Sequence, residues 1–67
     1  MNAADLTAYT NATAALGFGL HSAARLLGAG LTWGNIHRLT DAGLLRVERL
    51  YPGLTGNHAV IYKAMFP

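Results

Sequence analysis

Ser22-Ala-Ala-Arg-Leu-Leu-Gly28-Ala29-Gly30-Leu31-Thr32 runs directly into Trp33-Gly-Asn-Ile36-His-Arg-Leu39-Thr-Asp-Ala42-Gly43-Leu44-Leu45. Ser22 is a helix N-cap, and residues 23–27 form a short helix with Ala23, Leu26 and Leu27 on its apolar face. Two glycines in Gly28-Ala29-Gly30 favour a turn over a continued helix. Thr32 caps the next helix, which runs to about Ala42, and Gly43 suits the left-handed position just past a helix end. With Ile36 at the centre of the buried face, 100° per residue brings Thr32 and Leu39 to the core side. Gly34, His37, Arg38 and Asp41 then point away.

Outward from this pair the pattern changes on both sides. Upstream, residues 3–16 read as a helix capped by Asn2, with Asp5 at the positive end of its dipole and Gly17 stopping it. Leu6, Tyr9, Thr13 and Leu16 share one face at helical spacing. Residues 18–21 are short and extended. Downstream, Leu45 and Val47 alternate with Arg46 and Glu48 as on a half-buried strand. Pro52-Gly53-Leu54-Thr55-Gly56-Asn57 is a turn, and residues 58–65, with Val60, Ile61 and Tyr62, form a second strand. The expected architecture is α+β: three helices followed by a two-stranded antiparallel hairpin, in one domain over residues 1–67.

The composition bounds what such a domain does. The chain has 67 residues, no Cys, 52% hydrophobic and 12% charged residues, with twelve Ala and eleven Leu. That excludes intrinsic disorder and leaves no thiolate staple or disulfide. Five Lys and Arg against three Asp and Glu give +2, too little for a strong polyanion trap. The 19 residues between Asp5 and Arg25 carry no formal charge, but their Thr, Asn, His and Gly make a poor membrane span. An acid near the N-terminus argues against a signal peptide. The expected location is cytoplasmic, and the Asn11-Ala12-Thr13 sequon then has no consequence.

Ser22-Ala-Ala-Arg-Leu-Leu-Gly28, the turn after it, and Ile36-x-x-Leu39-x-x-Ala42-Gly43-Leu44-Leu45 resemble the winged-helix (winged helix-turn-helix) family of DNA-binding domains. The helix-turn-helix falls at about 22–42 and the wing hairpin at about 44–65. The resemblance implies that the helix over 32–42 enters the major groove of double-stranded DNA, its N-terminal residues nearest the base edges. Arg38 then contacts guanine or clamps a phosphate; otherwise it is a solvated helix arginine paired with Asp41. His37 donates to DNA, Gly34 admits a close approach of backbone, and Asn35 lies at the edge of the face. Trp33 packs beneath the wing or against the preceding turn, or stands exposed as an anchor. Arg25, Arg46 and Arg49 are candidate phosphate contacts. A homodimer doubles the footprint, and Ala8, Ala12 and Ala15 offer one interface, although core packing explains them equally.

Other chemistries find little support. His21, His37 and His58 lie on different elements with no ligand spacing, so no metal is expected. The Gly28–Gly34 run follows a helix where a dinucleotide fingerprint needs a strand, and no cofactor is expected. Ser22 beside His21 lacks a third triad member, and three scattered acids leave little for acid–base catalysis, so no enzyme is expected. Two functions remain: a winged-helix DNA-binding transcriptional regulator, or a winged-helix module that binds a protein and not DNA, such as a phage- or plasmid-type accessory or inhibitor of a host protein. The wing tip lacks Lys and Arg, and apolar Trp33, Leu50, Tyr51, Leu54 and Phe66 are candidates for an exposed patch, which favours the module. DNA binding requires the basic groups to converge on one face; the module predicts that they disperse.

Overall fold

The computed structural model describes residues 2–50 and 60–65. In order, the elements are α1 (Ala3–Leu16), β1 (Gly19–Ser22), α2 (Ala23–Gly28), α3 (Trp33–Asp41), β2 (Leu45–Leu50) and β3 (Val60–Ala64). Each helix starts where a cap was expected: Asn2, Ser22 and Thr32 accept from the backbone N–H of Asp5, Arg25 and Asn35. Helices α2 and α3 end in the same way. Gly30 N–H donates to the Leu27 carbonyl and Leu31 N–H to that of Leu26; Gly43 and Leu44 repeat the pattern on Thr40 and Leu39. The motif needs a left-handed residue, and Gly30 (φ 103°) and Gly43 (φ 85°) provide it without a Cβ clash. The turn at residues 52–57 and the wing tip lie outside the described residues.

The sheet has three strands and not two. It is antiparallel in the order β1-β3-β2, with Gly19 opposite Ala64 on one side of β3 and Leu45 opposite Ala64 on the other. The extended piece at residues 18–21 is therefore the beginning of an edge strand, held by pairing that lies more than forty residues away in the chain. Strand alternation puts His21, Tyr62 and Ala64 on the face toward the helices, and all three are buried. Ile36, Leu39, Leu45, Tyr62 and Tyr9 meet there in one hydrophobic cluster with Leu26 and Leu31.

Helix α1 is rotated from the face expected of it. Its buried residues are Asp5, Tyr9 and Ala12, while Leu6 is 46% exposed. Ala8 packs partly against the core as well. The Ala8–Ala12 stripe is thus used within the chain, and of the three alanines only Ala15 is exposed. The Tyr9 hydroxyl anchors α1 to the open end of the β2–β3 pair, reaching the carbonyls of Met65 and Leu44. Burial pushes the Tyr9 and Tyr62 phenols above their ordinary 10.0. Tyr9→Phe removes this link and is expected to lower stability by about 1–3 kcal/mol, measured by urea unfolding; an unchanged midpoint contradicts the anchoring role.

Candidate nucleic-acid interface

Helix α3 turns Ile36 and Leu39 inward and leaves His37, Arg38 and Asp41 exposed, as its periodicity predicts; Thr32, expected on the core side, is exposed at the N-cap, and Trp33 is exposed beside it. Trp33 is 40% exposed, and its ring lies 6.0 Å from that of His37, one helical turn on. The exposed alternative for Trp33 is the one realised.

Arg38 has a partner that its own helix does not supply. Its Nε–H donates to Asp5 Oδ2 at 2.8 Å, across 33 residues of chain, and not to Asp41. Asp5 is fully buried, and it accepts from the Asn35 amide Nδ2 on Oδ1 at 2.7 Å and from the Asn2 backbone N–H on Oδ2 at 3.2 Å. Asn35 Oδ1 in turn accepts from Thr32 N–H and Thr32 Oγ1–H, both at 2.9 Å. The capping boxes of α1 and α3 are therefore joined through one carboxylate. The Arg38 hydrogen bond, then Asn35, lowers the Asp5 carboxyl from its ordinary 3.8 to about 2, and Asp5 in turn raises the Arg38 guanidinium above its ordinary value. Asp5 was missed as a site residue because an acid in a first turn already has an explanation in the helix dipole. The Asp5-x-x-x-Tyr9 spacing places it on the buried face, and that was the signal available.

Gly34 serves the same cluster. A Cβ built there meets Arg38 Nη1 and Nη2 at 3.2 Å, so the guanidinium lies over the bare backbone where a side chain would be. Its Nη groups make no hydrogen bond to the described residues, and the side chain is 49% exposed. Asn35, by contrast, is occupied by Asp5 and Thr32.

The remaining basic residues fall elsewhere. Arg25 is exposed on α2. Arg46 and Arg49 do not obey simple alternation, and the reason is a bulge: Val47 pairs with Tyr62 but Arg49 with Ile61, leaving Glu48 as the extra residue. Arg46 and Arg49 thereby share the sheet face turned away from the helices, where Arg46 pairs with Glu48 (Nη2 to Oε2, 3.0 Å). The structure gathers Trp33, Gly34, Asn35, His37 and Arg38 on α3, and it separates them from Arg46 and Arg49. His21 is buried in β1, with Nε2–H donating to the Gly17 carbonyl at 2.9 Å and Nδ1 finding no partner among the described residues. His37 lies on another element, and His58 is outside the described residues; no group of three potential metal ligands forms among those described. No described helix is long and apolar enough to cross a membrane. Trp33 and Leu50 are exposed as expected, whereas Tyr51, Leu54 and Phe66 are not among the described residues. Compared with protein-family models, curated proteins and solved structures, the chain has no match to any of them.

Proposed function

We propose that the chain is a small winged-helix DNA-binding protein, a transcriptional regulator that lays α3 in the major groove. One observation carries the reading: Arg38 is fixed through Nε to buried Asp5, with its Nη groups over Gly34, unpaired among the described residues, and its side chain 49% exposed. A guanidinium held in this way loses little freedom on binding, and the Nη pair is the fork that reads guanine O6 and N7. Trp33 and His37 flank it on the same surface. Because Asp5 compensates the charge of Arg38, the helix adds little general attraction to phosphate, and recognition rests on geometry more than on field.

A labelled duplex pool titrated at low salt and then at rising salt tests this by fluorescence anisotropy. Binding with a shallow log–log salt slope is expected, the slope counting few phosphates. On a selected site, Arg38→Ala should weaken binding roughly tenfold or more, and Arg38→Lys nearly as much, since lysine restores charge without the fork. Circular dichroism on each variant separates lost binding from lost fold. No binding at low salt and high protein concentration overturns the proposal. The protein-binding module is then the reading to adopt, and the separation of Arg46 and Arg49 from α3 is the observation that favours it.

A further inference from the structure

We propose that the outer face of the three-stranded sheet is a docking surface for an acidic peptide segment of a partner protein, one that carries large apolar side chains. The register fixes what this face presents. Leu20, Lys63 and Arg46 form one cross-strand row, and Ser22, Ile61 and Arg49 form the next. The helices lie on the opposite face, and no described element covers this one.

Charge points to an acidic occupant. Arg46, Arg49 and Lys63 are three of the five Lys and Arg in the chain; set against Glu48 they leave 3 − 1 = +2, equal to the formal charge of the whole chain. Lys63 and Arg46 are direct cross-strand neighbours, an arrangement of like charges that destabilises a sheet unless an anion intervenes. Glu48 reaches Arg46, and among the described residues no ion pair reaches Lys63. Glu48 already pairs with Arg46, so a carboxylate from outside pairs with Lys63.

Apolar groups distinguish a peptide from a nucleic acid. Leu20 is 54% exposed in the same row as the two cations, and Ile61 lies in the next. At the end of the sheet a cleft of about 310 Å³ is lined by Phe18, Gly19, Lys63, Ala64 and Met65. It is a mainly apolar hollow with Lys63 among its lining residues, a shape that takes a large side chain. A phosphate backbone would use the cations and leave Leu20, Ile61 and the cleft uncovered. This surface is independent of α3, so a DNA-bound chain has it available.

The test titrates the full chain into two short fluorescein-labelled peptides, one alternating Glu with Leu and a central Phe, the other with Lys in place of every Glu. The acidic peptide should bind and the basic one should not. The double variant Arg46→Glu/Lys63→Glu should weaken binding by about tenfold or more, and Leu20→Ser by a few-fold. Arg38→Ala should leave peptide affinity unchanged while lowering DNA affinity, so the two proposals fail separately. Thermal melts establish that each variant is folded, and Lys63→Gln replaces the double variant if that one is not. Equal binding of both peptides, no binding, or indifference to charge reversal overturns the proposal. So does binding of duplex DNA that the same reversals abolish while the acidic peptide stays unbound, which assigns the face to phosphate.

Discussion

Asp5→Ala is expected to lower the melting temperature at neutral pH by on the order of 10–20 °C, a large effect for one polar side chain in so small a domain. The substitution strips the acceptor from three donors at once: Asn35 Nδ2, Arg38 Nε and the Asn2 backbone N–H. These groups face a buried position, where an unmet donor costs more than the hydrogen bond gains when made. Asp5→Asn is nearly isosteric and keeps an oxygen for Asn35, but it turns an NH₂ toward the guanidinium, so it too should destabilise. The pH dependence has a definite sign. The folded carboxyl titrates near 2 against an ordinary 3.8, so its contribution is fully present above about pH 4. It fades as pH falls through 2, and below that the carboxyl is protonated in both states. Melting curves of wild type and Asp5→Asn should therefore converge between pH 4 and 2. Parallel curves across that interval would show that the carboxylate charge does not couple α1 to α3. A double-mutant cycle with Arg38→Ala measures the pair directly, because the two residues are in contact and their effects should not add.

What the sequence made legible follows physical range. Caps and stops act within one turn, so Asn2, Ser22, Thr32, Gly17 and Gly43 mark helix ends close to where they fall. The period change after Gly43 is equally local and reveals the strand at Leu45. The third strand was not legible: Gly19-Leu20-His21-Ser22 is four residues long and polar at two of them, and only pairing with residues 61–64 makes it a strand. The rotation of α1 escaped for a related reason. Its many alanines pack on either side, so periodicity chose Leu6, whereas the carboxylate of Asp5 had a specific partner in another helix. The bulge at Glu48 depends on pairing too, and it decides that Arg46 and Arg49 face the same way. For the candidate site, periodicity foresaw that His37, Arg38 and Asp41 face outward, but not that Thr32 is exposed, Asn35 is consumed and Arg38 is pinned.

Leu39→Ala should come close to unfolding the chain. Leu39 is fully buried beside Ile36 on the inner face of α3, and the same face meets Leu45 and Tyr62 of the sheet. Truncating a buried leucine costs about 3–5 kcal/mol, the transfer term plus a cavity that its surroundings fill only in part. A domain of 67 residues has roughly 3–10 kcal/mol of stability in total. Among the described residues the core has ten buried hydrophobic residues, of which Ala12, Ala23 and Ala64 are alanines, so few large side chains share the load. Helix α3 is only nine residues long and does not persist alone in water, so its stability comes from that packing. Losing Leu39 loosens the presentation of Arg38 as well as the core, and DNA affinity should fall with it. Leu6→Ala is the informative control: the helical face read from sequence makes Leu6 a core residue, whereas the structure leaves it 46% exposed. Its substitution should shift stability by no more than about 0.5 kcal/mol. Urea unfolding followed by circular dichroism compares the two variants, and Leu6→Ala as costly as Leu39→Ala would mean that α1 packs by its leucine face and that Asp5 is not buried.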